Sequence, residues 1–311
     1  MILALAGGVG GAKLAFGLSR VLPPEELVIV VNTGDDFSHL GVHVSPDLDT
    51  VMYTLAGIAN PETGWGQADE SWRFMEALGR LGGPTWFRLG DRDLATNVER
   101  TRRLAGGESL SGVTRALCEA SKVRHAVVPM SDDPVRTIVH TDAGELEFQE
   151  YFVRRRCEPR VRRIEYRGAG EASPSPDFAA ALKRPDLRGI VFCPSNPYLS
   201  VAPILALRGV REAIENRSVR AVAVSPIIGG RAVKGPAAKI MTELGLEASS
   251  IEIARFYARL ADLLLVDQED ANLVAPIEAT GPRARVARTL MQADEERMHV
   301  ARACLEALGG G

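Results

Sequence analysis

The 311-residue chain is 46% hydrophobic and 25% charged, with a formal charge of -3, the make-up of an ordinary globular protein with no overall pull toward nucleic acid or anionic membrane. Its length sits near the upper limit for one core, so a single large domain carrying an insertion is expected. Cys118, Cys157, Cys193 and Cys304 form no C-x-x-C pair, which argues against zinc or a disulfide framework and suits a reducing, cytoplasmic setting. The opening "MILALAGG" has no basic leader, and its apolar run is too short for a signal peptide or a membrane span.

In chain order, apolar strand candidates alternate with helices. Ile2 to Ala6 and Leu27 to Val31 read as buried strands joined by a helix from about Ala12 to Leu22. "HAVVP" from His125, "GIVFCP" from Gly189, "VRAVAVSP" from Val219 and "LLLVD" from Leu263 continue the series. Continuous apolar strands of this kind are buried on both faces, so the expected fold is α/β: a Rossmann-like, doubly wound, mostly parallel sheet. Residues 49–123 carry only helical signals and read as a helical insertion, leaving 1–48 and 124–311 as the α/β core. Val135 to Tyr166, including "FQEYFV", reads as two or three antiparallel strands with a turn at Asp142 to Gly144, and "EASPSPD" as a brief linker.

Between the first strand and helix lie Gly7, Gly8, Gly10 and Gly11. Glycines admit an anion close to backbone amides, and a helix N-terminus adds partial positive charge. Leu14 follows Lys13 where a Walker loop needs Ser or Thr, and Lys13 replaces the third glycine of a dinucleotide fingerprint. A tight structural turn explains this loop equally well.

"NTGDDFSHLGVHVSPDLDT" then gathers Asp35, Asp36, Asp47 and Asp49 at the carboxyl end of the second strand. Capping explains one such acid and solvated loop charge another. Two unpaired carboxylates about 4 Å apart repel by roughly 4 kcal/mol at an effective dielectric near 20. A divalent cation relieves that conflict, and oxygen-only ligands suit Mg²⁺ or Mn²⁺. His39 and His43 in the same loop are weak ligand candidates.

Other stretches carry mixed signals. In "WFRLGDRDLATN", Asp93 fits a helix N-cap with the arginines as ion-pair partners, or Arg88 and Arg92 hold a substrate. "CPSNPYLSVAPIL" and "VSPIIGGRAVKGPAAK" each follow a strand on the same sheet edge as the glycine turn. They offer Ser195, Asn196, Ser225, open backbone at Gly229 and Gly230, and Lys234 as a phosphate-seeking charge. The seven arginines between residues 153 and 167 read as a solvated strand face. Trp65, Trp72, Trp86 and Tyr53 either line a flat-ring pocket or fill core.

Taken together, "GGVGGAK", "NTGDD", "SPDLDTVMYTLAG", "LGDRDLAT", "PMSDD", "FQEYFV", "PSNP", "VSPIIGG" and "KGPAAKIM" occur in an order that resembles the 2-phospho-L-lactate transferase family of coenzyme F-420 biosynthesis. The resemblance spans residue 2 to about 300. It implies transfer of a phospholactyl or related phospho-three-carbon-acid group from a guanosine-diphosphate-activated donor to 7,8-didemethyl-8-hydroxy-5-deazariboflavin. GMP is released, Mg²⁺ is required, and a homodimer is expected, with the helical insertion contributing to the deazaflavin pocket. Carried onto this chain, Gly8, Gly10, Gly11, Ser195, Asn196, Ser225, Gly229 and Lys234 would form the nucleotide side. Asp49, Arg88 and Asp91 would meet the deazaflavin, Asp35, Asp36, Asp47 and Asp49 are the candidate metal ligands, and Asp49 and Asp36 the candidate catalytic acids. Two other functions compete: a nucleotide-sugar-binding regulatory protein of the gluconeogenesis-factor type, and a nicotinamide dehydrogenase, which lacks its G-x-G-x-x-G.

Overall fold

The protein is described here from a computed structural model, which covers residues 1–232 and 236–309. Its centre is a seven-stranded sheet. In chain order the strands are β1 (Ile2–Ala6), β2 (Leu27–Val31), β3 (Phe37–His39), β4 (Val42–Val44), β5 (Ala126–Pro129), β6 (Arg136–Thr141), β7 (Gly144–Glu147), β8 (Val161–Arg167), β9 (Gly189–Phe192), β10 (Arg220–Val224), β11 (Ile227–Ile228), β12 (Arg231–Ala232), β13 (Leu263–Val266) and β14 (Arg283–Val286). The central sheet runs β14-β13-β10-β9-β1-β2-β5, and every neighbouring pair is parallel.

Pleating sends successive residues of β1 to opposite faces, so Leu3 and Leu5 join one apolar cluster while Ile2, Ala4 and Ala6 join the other. Both faces are covered, which is why the sequence shows an unbroken apolar run rather than an alternating one. The expected fold class is therefore found. The strand order also places the ligand crevice. From β1 the chain builds outward through β2 to β5, then returns to β9 on the other side of β1 and builds outward through β14. The reversal lies between β1 and β9, and open parallel sheets bind ligands beyond the carboxyl ends of the strands at such a point.

Between β2 and β5 come four helices: α1 (Val9–Val21) already fills the β1–β2 connection, and α2 (Pro46–Ala56), α3 (Arg73–Arg80), α4 (Asp91–Ala105) and α5 (Leu110–Ala120) follow. Leu48, Val51 and Met52 of α2 share a buried cluster with Leu14 and Leu18 of α1, so α2 is bolted to the core at the level of the crevice. Gly57, in the left-handed region at φ 72°, ends α2 and donates its amide to the Thr54 carbonyl of the last turn.

Several local expectations change. Asp93 is not the N-cap of α4: the helix starts at Asp91 after Gly90. The Glu70 carboxylate accepts the Arg92 and Asp93 amides, at 2.8 Å each, and does the capping from outside. Asp93 is thereby released to point inward, where Tyr53 finds it. Nor are Arg88 and Arg92 its ion-pair partners, since Arg88 lies over the Trp72 ring at 4.1 Å and Arg92 donates to the Ala68 carbonyl. The segment "FQEYFV" is a single wide helical turn, Glu150–Arg154, not strand. The hairpin β3–β4 and the edge strand β14 were not anticipated. All four cysteines are free thiols, and no described helix is long and apolar enough to cross a membrane.

Candidate active site

A cavity of about 630 Å³ opens at the β1–β9 reversal. Its first wall is the glycine turn. Gly8 precedes the first turn of α1 and has no side chain with which to cap it, so the helix N-terminus presents its amides to the cavity that Gly8, Val9 and Gly10 line. The close approach is enforced by neighbours. A Cβ on Gly8 would stand 2.6 Å from Asp47 Oδ1, one on Gly11 2.6 Å from Ser195 Oγ, and one on Gly10 would run into the Pro194 carbonyl. The Gly7 amide donates to Ser195 Oγ at 2.9 Å, which ties the turn after β1 to the loop after β9. Asn196 caps the following turn through Oδ1, which accepts the Tyr198 and Leu199 amides. Its amide nitrogen is buried with no partner.

The four acids lie close enough to feel one another's charge, but they hold different partners. Asp47 Oδ2 accepts from Asn32 Nδ2 at 3.0 Å, and the Asn32 carbonyl oxygen accepts the Gly34 amide at 2.8 Å. Asp36 Oδ2 is held by His43 Nε2 at 3.0 Å and Ser45 Oγ at 2.7 Å. Both oxygens of Asp49 are engaged by the guanidinium of Arg100, Oδ2 at 3.1 Å. Asp35 Oδ1 is buried without a partner. Of the four, Asp35, Asp47 and Asp49 line the cavity and Asp36 does not. Among the described residues no three His, Cys, Asp or Glu side chains form a ready-made metal set.

Burial dominates the electrostatics. It raises Asp35 well above the usual carboxylate range, helped by the charge of Asp47, and raises Asp47 to about 7. Asp49 is also pushed up by burial, but Arg100 opposes the shift. For Arg100 itself, burial is outweighed by Asp49 and the net effect is upward. With two hydrogen bonds between them, we take this pair as ionic.

An aromatic wall completes the lining: Tyr53, Trp65, Trp86, Phe87, Phe148 and Phe152 contribute rings, and Arg88 joins them. Trp86 and Phe87 are braced from behind by Phe37 and His39 of the β3–β4 hairpin, with ring centroids 4.8–6.1 Å apart. His39 thus serves as a packed ring whose burial lowers its pKa. Trp72 stacks on Arg88 outside the lining.

Gly8, Gly10, Ser195, Asn196, Ser225 and Arg88 meet at this cavity, whereas Gly11, Gly229 and Asp91 lie off its lining. Gly11 packs against Ser195, as above. Gly229 donates its amide to Asp270. Asp91 caps α3 by accepting from Ser71 Oγ and the Phe74 amide. Lys234 lies outside the described residues. Sequence reasoning missed Asn32, Arg100, and the strand-exit segment Thr289 to Met291, where the Met291 carbonyl accepts from Lys13 Nζ at 2.7 Å.

Asp93, at the cavity edge, accepts from Tyr53 Oη at 2.8 Å. Burial, then the charge of Asp49, lifts it from 3.8 to about 7. The folded state therefore retains a proton that the unfolded chain gives up, and this contribution to stability fades as pH rises from about 4 to about 7. Thermal unfolding of Asp93→Asn is expected to gain on the wild type across that window; a difference that does not change with pH would contradict the assignment.

Fold and cavity together define an α/β protein in which a glycine turn at a helix N-terminus and an aromatic wall share one cleft. The family model described as 2-phospho-L-lactate transferase CofD matches residues 2–303, and the chain belongs to that family. It is 43% identical to a phosphoenolpyruvate transferase of Streptomyces griseus, over 98% of this chain and 97% of that protein. It is 38% identical to a 2-phospho-L-lactate transferase of Methanosarcina mazei, over 98% of this chain and all of that one. The crystal structure of protein BH3568 from Bacillus halodurans shares the fold, with a TM-score of 0.64 and 16% identity, covering 98% of this chain and 99% of that one.

Proposed function

We propose that the protein transfers a phosphorylated three-carbon acid from a guanosine-diphosphate-activated donor to the terminal ribityl hydroxyl of 7,8-didemethyl-8-hydroxy-5-deazariboflavin, releasing GMP, as a step of coenzyme F-420 biosynthesis. The observation that carries this reading is the pairing of two walls in one cavity. A glycine turn at a helix N-terminus suits a pyrophosphate, and a braced aromatic surface suits a flat tricyclic ring. The cavity volume falls within the ordinary range for small-molecule sites. Tyr53, Trp65, Trp86, Phe87 and Arg88 all come from residues 49–123, which supports a role for that region in holding the acceptor.

In this reading the turn amides and the Asn196 amide nitrogen hold the donor's phosphates, and Ser195 keeps the turn in place. The acceptor's hydroxyl oxygen attacks the phosphorus that bears the acid, the bond from that phosphorus to the GMP oxygen breaks, and GMP departs with the electron pair. Proton loss from the hydroxyl is late in so loose a transfer, and the cavity carboxylates supply an acceptor. Asp35 and Asp47 would hold a Mg²⁺ ion: the unpartnered Asp35 oxygen and the burial of both acids fit a cation that needs one or two carboxylates plus phosphate and water oxygens. When bound, that ion would neutralise charge developing on the transferred phosphoryl group.

The relatives named phosphoenolpyruvate transferase are 41–43% identical and those named 2-phospho-L-lactate transferase 38%. Guanylylated phosphoenolpyruvate is therefore the donor to try first. Equilibrium binding tests the two walls separately. The protein is expected to take up GDP with Mg²⁺ and the deazaflavin together, neither displacing the other. Uptake of a UDP-sugar with no deazaflavin binding would favour the regulatory reading instead.

A further inference from the structure

We infer that Arg100 is a positioning residue which fixes Asp49 as a charge-compensated hydrogen-bond acceptor for the acceptor substrate, rather than leaving it as a cation ligand; the assignment rests on the transferase reading above. Arg100 is 1% exposed and lies behind the cavity lining, while Asp49 forms part of it. The guanidinium engages both Asp49 oxygens and donates to Asn97 Oδ1 at 2.7 Å. Asn97 Nδ2 in turn donates to the Asp93 carbonyl at 2.8 Å, and Asp93 receives the Tyr53 hydroxyl. Asp93, Asn97 and Arg100 recur at helical spacing along one face of α4, and Asp49 and Tyr53 are four apart on α2. The five residues therefore form one hydrogen-bonded chain running from Asp49 on α2 through α4 and back to Tyr53 on α2, and Asp49, Tyr53 and Asp93 line the cavity.

This arrangement decides what Asp49 can do. A carboxylate locked to a guanidinium has its plane and charge fixed, yet each oxygen keeps a further lone pair for a donor in the cavity. Its compensated charge does not repel a phosphorylated substrate. The adjacent guanidinium also opposes a divalent cation, for which Asp35 and Asp47 are the better placed pair.

Equilibrium binding on the full chain tests the assignment with deazaflavin and with GDP plus Mg²⁺ as probes. Arg100→Lys keeps the charge and loses the fork, and Asp49→Asn loses the charge. Both should bind deazaflavin about tenfold or more weakly while GDP binding stays within about twofold. Asn97→Ala, which withdraws a partner of Arg100 without touching the lining, should give a smaller loss in the same direction, and retained GDP binding shows that the variants are folded. Unchanged deazaflavin binding, or a raised Mg²⁺ requirement for GDP in Asp49→Asn, would overturn the assignment alone. A wild type that binds GDP and no deazaflavin would overturn the transferase reading and this assignment with it.

Discussion

Replacing Arg100 with methionine is expected to destabilise the protein by about 3–5 kcal/mol, because it strands the Asp49 charge in a site that the guanidinium had compensated. The side chain is among the largest fully buried ones in the molecule. Two costs oppose each other here. Removing two ions from water is unfavourable, and the bidentate contact with Asp49, together with Asn97, offsets that cost. Loss of one partner leaves the cost without its offset. The double replacement Arg100→Met with Asp49→Leu should recover most of the loss, since apolar groups of similar volume often replace a buried pair without penalty. Urea unfolding measures both. A single-variant loss under about 1 kcal/mol would mean that the pair is hydrated and weak, as exposed pairs are.

Gly10→Ala should weaken GDP binding by about 10–100-fold while leaving a folded protein. The added methyl would collide with the Pro194 carbonyl, a backbone group with no rotamer to escape into. Either α1 or the loop after β9 must then move. Overpacking of this kind typically costs about 1–3 kcal/mol, and the strained segments are those that form the proposed phosphate seat. Calorimetric titration with GDP and Mg²⁺ would show it. Gly41→Ala is a fitting control, because Gly41 sits at φ 78° with open space around it, in the turn of the β3–β4 hairpin, and lies off the cavity lining. Equal losses in the two variants would point to general instability rather than to a damaged seat.

Much of the architecture was legible because its physics is local. Unbroken apolar runs as short as "LALA" and "LVIVV", each ending at a turn, read as strands buried on both faces. Glycines between such a strand and a helix mark close backbone approach. The edge strand β14, "RARV", was hidden because an edge needs little burial and its basic residues face solvent. The β3–β4 hairpin was hidden by brevity: its turn places Leu40 at φ 54° before Gly41, and leucine gives no turn signal. "FQEYFV" misled through composition, since aromatic and β-branched residues favour strands. The true cue was spacing, for Phe148 and Phe152 stack across one helical turn at 5.4 Å.

The site was legible in its parts and not in its pairings. Four nearby aspartates suggested one cluster, but the structure gives three of them different partners. Arg100 sits in "NVERTRRLAG", where neighbours such as Arg102 and Arg103 form exposed pairs with Glu99. Nothing in that run of charges separates the buried arginine from the solvated ones except its helical spacing from Asp93 and Asn97. The two-wall cavity itself depends on the chain returning from β5 to β9 beside β1, a long-range choice that no short motif encodes.

The most direct test of the account is the transfer itself. The purified protein is incubated with deazaflavin, Mg²⁺ and, in separate reactions, guanylylated phosphoenolpyruvate and guanylylated phospholactate, and the products are weighed by mass spectrometry. The account predicts a product equal to the deazaflavin plus one phospho-acid group, formed in step with GMP. Release of GDP, or intact donor and acceptor recovered from a protein that binds both, would contradict it.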